Sequence, residues 1–170
     1  MLILVVSDIH GSFKGYWRLS RILGKYKPDK IILLGDLLYG SFDNGEEKVR
    51  QLLNLHKEKI LAVRGNCDLS AESEGLEFEL PLRRDINLNG HMFHMQHHPF
   101  SKADYGKGDV CMNGHTHVKL LYQDEKGIIH LNPGSISNPR DDGPGYALIE
   151  TGKISLKNAD TDEDISILNM

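Results

Sequence analysis

The sequence has few cysteines, no basic tract and no long apolar run, and each absence argues against a class of protein. Cys67 and Cys111 are the only cysteines, lie far apart and form no C-x-x-C pair, so we expect no disulfide framework and a reduced, cytoplasmic protein. A net charge of −4 without a run of Lys or Arg argues against binding to nucleic acid or to an anionic membrane. The N-terminal apolar run meets Ser7 and Asp8 far too early for a membrane span and is predicted to be a first strand.

The chain is long enough to bury a core of its own, and we expect one domain over residues 1–170. Apolar spacing predicts a helix within residues 14–27, which Pro28 ends, and a second helix over about residues 44–57. From Arg84 onward, short apolar runs alternate with turn signals and predict antiparallel hairpins. The pattern β-α-β-α-β followed by mostly β favours a four-layer α/β/β/α sandwich of two mixed sheets flanked by helices.

Polar clusters stand where the apolar runs end. Runs at residues 2–6, 31–34, 60–63, 92–95 and 110–112 are predicted strands, and each is followed by such a cluster. The last cluster, at residues 132–135, is also expected to form a tight turn. Because α/β sheets place ligands at the carboxyl ends of their strands, these side chains are predicted to form one site. The clusters are Asp8-Ile9-His10, Gly35-Asp36, Gly65-Asn66-Cys67-Asp68, Gln96-His97-His98, Gly114-His115-Thr116-His117 and Asn132-Pro133-Gly134-Ser135.

These residue types are suited to two metal ions. Carboxylate, carboxamide and imidazole ligands without a required thiolate favour Mn²⁺, Fe²⁺, Co²⁺, Ni²⁺ or Zn²⁺ and disfavour a structural zinc site. Asp36 has two oxygens and could bridge both ions, which at about 3.5–4 Å apart form the clamp used for displacement at phosphorus. Two divalent ions bring four positive charges, and Asp8 and Asp36 return only two negative ones. The remaining positive charge would attract a phosphate ester and lower the pKa of a bound water.

The ordered set of clusters resembles the calcineurin-like metallophosphoesterase superfamily. The resemblance extends from residue 1 to about residue 150. Within the superfamily, Gly65-Asn66-Cys67-Asp68 and the run from Asn132 to Arg140 are similar to the small YfcE-type phosphodiesterases of bacteria and archaea. The motifs that carry the resemblance to the superfamily are Asp8-x-His10, Gly35-Asp36, Gly65-Asn66-x-Asp68 and Gly114-His115-x-His117.

The resemblance implies a role for each matching residue. One ion would be held by Asp8, His10, Asp36 and His117. The other would be held by Asp36, Asn66, His115 and a histidine of the fourth cluster. Mn²⁺ is the first expectation, with Fe, Ni, Co and Zn as alternatives. The expected catalytic residues are Asn66, Cys67, Asp68 and His97, and the expected substrate-binding residues are Asn66, Cys67, His98 and Arg140.

The fourth cluster departs from the family pattern of His-Gly-His. Strand alternation puts Phe93, Met95 and His97 on one face, which favours His97 as the ligand. A gapless match to the family would instead put Gln96 there, with His98 nearby. The loop that follows, residues 100–108, is short, and what it contributes to the substrate side is left open.

Cys67 stands where many members of the superfamily carry the histidine that is thought to protonate the leaving oxygen. A thiol has no positive charge and a reference pKa of about 8.5, so it cannot act as an imidazolium. We therefore expect esters whose leaving group needs little protonation.

The sequence thus predicts hydrolysis of small phosphate diesters by a metal-activated hydroxide. Alternatives on the same ligands are a phosphomonoesterase or a cyclic-nucleotide phosphodiesterase. An alternative from another class is a Vps29-like protein-binding scaffold, although scaffold relatives lose several of these ligands and this chain has an irregularity only in its fourth cluster. A homo-oligomer, dimer or tetramer, is compatible with the sequence.

Overall fold

The computed structural model describes residues 1–41, 43–68, 75–88, 90–101 and 105–170. In the first half, strands and helices alternate. The elements are β1 (Ile3–Val6), α1 (Phe13–Tyr26), β2 (Lys30–Leu33), α2 (Glu46–Leu55), a 3₁₀ turn (Lys57–Lys59) and β3 (Ile60–Ala62). The described part of the second half contains strands only. They are β4 (Arg83–Leu88), β5 (His91–Gln96), β6 (Val110–Met112), β7 (Lys119–Gln123), β8 (Ile129–Pro133), β9 (Gly145–Glu150), β10 (Lys153–Asn158) and β11 (Asp164–Asn169).

The strands form two mixed sheets, which confirms the predicted sandwich. The first sheet has the order β11-β10-β9-β1-β2-β3, with β1, β2 and β3 parallel. The second has the order β4-β5-β6-β8-β7. The expectation of antiparallel hairpins holds for β4–β5, β7–β8 and β9–β10 but is wrong for β6, which pairs in parallel with both β5 and β8. Parallel pairing of β5 with β6 requires a crossover connection between the two strands.

The core lies on both faces of the first sheet. Ile3 and Val5 of β1 point between the sheets, where Phe93 is buried as well. The alternate residues Leu4 and Val6 of β1 point toward the helices. A strand covered on both faces has no polar position, which is why residues 2–6 form an unbroken apolar run.

Both helices pack on the outer face of the first sheet. Leu19 and Ile22 of α1 and Val49 of α2 are buried there in one apolar cluster. Ser12 caps α1 by accepting a hydrogen bond from the Gly15 N–H at 3.3 Å, and Lys27 ends the helix in the left-handed conformation. The predicted helices are therefore confirmed, with ends shifted by one or two residues. No described helix is long and apolar enough to cross a membrane.

The outer face of the second sheet carries polar side chains. His94 contacts Asp85 at 2.7 Å and Asp109 at 3.2 Å, and His130 contacts Asp124 at 3.0 Å. Such paired polar groups can face water, so this face does not need an apolar helix over it.

The strand order brings the predicted polar clusters to one end of the sandwich. The Gly114 N–H donates to the His97 carbonyl at 3.0 Å, which joins the loops after β6 and β5. The His115 N–H donates to Asp8 Oδ2 at 3.1 Å and joins the second sheet to the first. The loops after five different strands thereby meet at a single place.

Candidate metal centre

Five of the predicted metal ligands have a left-handed backbone. Their φ angles lie between 53° and 67°. L-residues seldom adopt this region, although Asp, Asn and His tolerate it better than most, and such conformations concentrate at functional sites. Each residue is held there by its surroundings, as when the Asp8 N–H donates to the Gly35 carbonyl at 3.1 Å. The five are Asp8, His10, Asp36, His115 and His117.

Two glycines allow the loops to approach the carboxylates closely. A Cβ on Gly65 would lie 2.1 Å from Asp36 Oδ1, and a Cβ on Gly114 would lie 2.8 Å from Asp8 Oδ2. Any side chain at either position would displace a predicted ligand.

A first group of donor atoms surrounds Asp8. The Nε2 atoms of His10 and His117 lie 3.2 Å apart, and His117 Nε2 lies 3.2 Å from Asp8 Oδ1. Ligand atoms about 2.0–2.1 Å from one metal ion stand about 3.0–3.4 Å from each other, so these separations fit one ion.

A second group surrounds Asn66. Its Oδ1 atom lies 3.0 Å from His97 Nε2 and 2.9 Å from His115 Nδ1. His97 Nε2 in turn lies 3.3 Å from Asp36 Oδ2. These distances again fit the ligands of one ion.

Asp36 lies between the two groups. Its Oδ2 atom is 3.3 Å from His97 Nε2 in the second group and 3.8 Å from His10 Nε2 in the first. Its Oδ1 atom accepts a hydrogen bond from the Cys67 N–H at 2.8 Å. One carboxylate oxygen of Asp36 is therefore left facing both groups.

Backbone carbonyls orient three of the imidazoles. The Nδ1 atoms of His10, His97 and His117 each lie 2.7 Å from a carbonyl oxygen, contributed by Tyr39, Leu34 and Asn138 respectively. A proton on Nδ1 satisfies that carbonyl and leaves the Nε2 lone pair directed at the donor group, which is the arrangement of metal-binding histidines.

Asp8 provides a test of whether these residues fit a cation. Its Oδ1 atom is fully buried and has no hydrogen-bond partner among the described residues. The nearby His117 Nε2 lies within ion-pair distance but outside hydrogen-bond geometry. A buried carboxylate oxygen facing imidazole lone pairs is costly unless a proton or a cation lies between them. The donor set therefore fits divalent metal ions.

The same contacts shift the pKa values of the residues in this centre. Burial by itself raises the pKa of Asp36, but the adjacent His97 ring and the hydrogen bond from the Cys67 N–H bring it to about 2. The neighbouring Asp8 carboxylate raises the pKa of His117. Burial lowers the pKa of His115, and the nearby His98 and His97 lower it further. Asp36 is thus a permanent anion that would attract cations.

Comparison with known proteins identifies the family. Residues 1–153 match the calcineurin-like phosphoesterase superfamily domain. The chain belongs to this superfamily. It is therefore a hydrolase of phosphate esters, and membership implies divalent metal ions and small phosphate-ester substrates.

Individual relatives agree with this placement. The chain is 30% identical to phosphodiesterase YfcE of Escherichia coli K12 over 172 aligned positions, which cover 92% of this chain and 91% of that protein. The solved structure of the E. coli phosphoesterase YfcE superposes with a TM-score of 0.92 at 26% identity and covers 99% of both chains. A Vps29 structure from Entamoeba histolytica covers 100% of this chain and 99% of its own with a TM-score of 0.63, and its 17% identity shows a shared fold alone.

Asp68 supports the candidate metal centre by accepting hydrogen bonds from backbone N–H groups. Its Oδ2 atom accepts hydrogen bonds from the N–H groups of Asp36 at 2.7 Å and Gly65 at 2.9 Å, and its Oδ1 atom accepts one from the Leu37 N–H at 2.8 Å. The residue is 1% exposed. Both oxygens are thus engaged by the turns that carry Asp36 and Asn66, so Asp68 holds these two predicted ligands in place.

Cys67 lies beside the centre as a neutral thiol. Burial raises its pKa to about 11, and the negative charge of Asp36 adds to the shift. Its Sγ atom contacts the Asn66 amide nitrogen at 3.4 Å. With this shift, the thiol keeps its proton at neutral pH.

In the fourth cluster, the structure brings His97 to the donor groups and turns Gln96 away. The Gln96 amide donates to the carbonyls of His98 at 2.9 Å and Pro99 at 3.3 Å. The exposed His98 ring packs against His115, with 4.3 Å between centroids. The loop over residues 100–108 includes residues 102–104, which lie outside the described residues.

The expectation of a tight turn at residues 132–135 is wrong, because Asn132 and Pro133 belong to β8 and Gly134 follows the strand at φ 73°. The Asn132 amide donates to the Gly114 carbonyl at 2.8 Å, and the Ser135 hydroxyl donates to the Asp8 carbonyl at 2.7 Å. The end of β8 and the residues after it therefore support the loops that carry Asp8 and His115.

The donor groups open into a cavity of about 590 Å³. Of the residues expected to bind substrate, Asn66, Cys67 and Arg140 line it. Lys14 also lines the cavity, and the sequence interpretation did not include it among the substrate-binding residues. Its position one turn past His10 was the available signal. The other lining residues that it did not single out as ligands include Ser12, Ser41, Ser137 and Asn138.

Proposed function

We propose that the protein is a phosphodiesterase with a dinuclear centre, and that residues 1–170 act as one catalytic domain. Asp8, His10, Asp36 and His117 would hold one ion, and Asp36, Asn66, His97 and His115 the other. The observation that carries the proposal is the Asp36 Oδ2 atom, which lies 3.8 Å from a nitrogen of one group and 3.3 Å from a nitrogen of the other.

The ions would supply Lewis acidity toward the phosphoryl oxygens and lower the pKa of water, and Mn²⁺ is the first expectation, with Fe, Co, Ni or Zn as alternatives. The protein's own residues hold the proposed ligands in place. Asp68 holds the Asp36 and Asn66 turns, and three backbone carbonyls fix the imidazole rings. Preorganised ligands of this kind avoid reorganisation during the reaction.

Cys67 supports a preference for good leaving groups. A thiol is a weaker proton donor than an imidazolium near neutral pH and has no positive charge to stabilise a departing alkoxide. Activity on diesters of acidic alcohols is therefore expected to exceed activity on alkyl diesters. The preference for diesters over monoesters is supported by the phosphodiesterase relative from E. coli.

Metal analysis beside a paired substrate assay tests the proposal. We expect about two equivalents of metal per chain and a higher kcat/KM for bis(p-nitrophenyl) phosphate than for p-nitrophenyl phosphate. Asp36→Asn keeps the shape but removes a charge and a bridging oxygen, so it should lose at least one equivalent and most activity. Two retained equivalents with near-normal turnover would contradict the dinuclear assignment, and a preference for the monoester would contradict the diester assignment.

A further inference from the structure

Two basic side chains line the cavity beside the metal donors. Lys14 lies in the first turn of α1, and Arg140 lies in the connection between β8 and β9. Both are exposed, and no acidic side chain of the described residues forms an ion pair with either. Nearby basic residues are engaged, since Lys119 pairs with Asp141 at 2.6 Å and Arg18 with Asp160 at 2.7 Å.

The segments that carry the two side chains pack against each other. The Arg18 guanidinium of α1 donates to the Ile136 carbonyl at 3.0 Å. A Cβ on Gly15 would lie 3.3 Å from the Ser137 Cβ, so the first turn of α1 touches the segment that leads to Arg140. The two positive charges therefore belong to one side of the cavity rim.

Arg140 is also tied directly to the metal centre. Its N–H donates to the carbonyl of His117 at 3.0 Å, and His117 is one of the proposed ligands. A group held by the rim would therefore stand next to the metal donors.

The acidic residue on this side of the cavity is already engaged. Asp43 accepts hydrogen bonds from the Ser12 hydroxyl at 2.9 Å, the Phe13 N–H at 2.8 Å and the Ser41 hydroxyl at 2.8 Å. Its charge faces the N-terminus of α1, where an anion is stabilised by the helix dipole. Lys14 and Arg140 thus remain available for an anion from solution.

We propose that Lys14 and Arg140 form a second anion subsite, which selects phosphate esters that carry another carboxylate or phosphate on the retained alcohol. This inference rests on the proposed function, because it places the scissile phosphate at the metal donors. A simple diester has one negative charge, and the metal centre can neutralise it alone. A guanidinium fork and an ammonium group are suited to a further carboxylate or phosphate.

A matched series of p-nitrophenyl diesters tests the selection. The leaving group stays the same while the second alcohol is ethanol, a 2-carboxyethyl group, a 2-phosphoethyl group or choline. We expect kcat/KM to be about three- to tenfold higher for an anionic alcohol than for ethanol, and lower for choline, from two exposed charge pairs. The difference should shrink as salt is added.

Variants locate the effect. Lys14→Gln and Arg140→Gln should each reduce the ratio of carboxyethyl to ethyl kcat/KM, and the double variant should bring it to about one. Lys126→Gln is the matched control, because Lys126 is exposed in the turn between β7 and β8, at the other end of this hairpin from the cavity. It removes the same charge and should leave the ratio unchanged.

Binding without turnover separates this inference from the proposed function. Calorimetry on the metal-loaded protein would compare propylphosphonate with 2-carboxyethylphosphonate and with ethylene bisphosphonate. We expect about three- to tenfold tighter binding of at least one of the two probes that carry a second acidic group, and this gain should be lost in the double variant. The tighter of the two identifies carboxylate or phosphate as the second group.

The outcomes are distinct. Equal affinities for all three phosphonates, or a preference that survives in the double variant, would overturn the second subsite. Failure to hydrolyse any diester, with the binding preference intact, would overturn the phosphodiesterase proposal and leave the anion subsite supported.

Discussion

Replacing Asp68 by asparagine should weaken the fold and the metal centre together. In the native protein, Oδ2 accepts two backbone N–H groups, from Asp36 and Gly65, and Oδ1 accepts one from Leu37, all at 2.7–2.9 Å. An asparagine can keep its oxygen on the side with two donors. Its NH₂ group would then face the Leu37 N–H, and two donors would meet in a site that is 1% exposed.

The cost follows from hydrogen-bond energies. A hydrogen bond to a charged group contributes about 1.5–3 kcal/mol, and a buried donor left without an acceptor costs about 1–3 kcal/mol. Because these effects overlap, we expect the free energy of unfolding to fall by about 2–4 kcal/mol. The turn that carries Asp36 would lose its support, so metal content and kcat/KM should fall too.

Urea unfolding of the metal-free protein, followed by metal analysis of the loaded protein, measures both effects. Asp124→Asn is the control, since Asp124 also accepts two backbone N–H groups, at 2.9 and 3.0 Å, but lies in the turn between β7 and β8. It should leave metal content intact. If Asp68→Asn lost activity while stability and metal content stayed at the native values, Asp68 would act in the chemistry and the positioning role would be refuted.

Three further predictions concern other residues. His97→Ala should reduce the affinity of the second metal site at least tenfold, because it removes one of the proposed ligands, whereas Gln96→Ala should change that affinity little. Metal titration of both variants checks this. The reverse order would show that the ligand is Gln96. Cys67→His should raise kcat/KM about 10²-fold or more on an alkyl diester and much less on a p-nitrophenyl diester, since only the alkyl leaving group needs a proton. Equal changes in kcat/KM on both substrates would mean that Cys67 only fills space. Burial by itself raises the pKa of Asp162, but hydrogen bonds from Lys25 and Tyr146 bring it to about 2, so the stability that Asp162 contributes is complete above about pH 4 and is lost as the pH falls toward 2. Asp162→Asn should therefore reduce the difference in unfolding free energy between pH 5 and pH 3 by about 1–2 kcal/mol, and an unchanged difference would contradict the assignment.

Much of the fold could be predicted because the apolar pattern is set by burial. The run at residues 2–6 has no polar position since both faces of β1 are covered, and Pro28 marks the end of α1. The pairing of β6 was not predictable in the same way. A three-residue strand is too short for its apolar pattern to distinguish parallel from antiparallel pairing, and its two parallel neighbours depend on contacts between distant parts of the chain.

The side chains of the candidate site could be predicted, but the backbone groups that hold them in place could not. Polar residues that follow apolar strands mark a sheet edge, so Asp8, Asp36 and Asn66 could be placed together. The carbonyls of Tyr39, Leu34 and Asn138, which orient three histidines, carry no sequence signal, because every residue has a carbonyl. Lys14 had only its position one turn past His10 as a signal, because its importance depends on what packs beside α1.

Removing the metal should expose the strain that the ligand loops contain. Five of the proposed ligands have positive φ angles, each of which costs up to about 1–3 kcal/mol, and Asp8 Oδ1 has no hydrogen-bond partner among the described residues. A metal at 100 times its dissociation constant would contribute about 2.7 kcal/mol per site, so stripping both proposed sites should lower Tm by about 10–20 °C.

Asp8→Asn tests whether the missing cation causes this loss of stability, because the effect of the substitution on stability should change sign between the metal-free and the metal-loaded protein. Its oxygen can keep the hydrogen bond from the His115 N–H at 3.1 Å, while its NH₂ group can donate to the lone pair of His117 Nε2. At pH 8, metal-free Asp8→Asn should therefore be as stable as the metal-free native protein or more stable, because a buried charge is removed. With metal present it should be less stable than the native protein, because a ligand is lost. Scanning calorimetry with and without chelator gives the four Tm values. Equal destabilisation in both conditions would mean that Asp8 supports the fold on its own, without a cation.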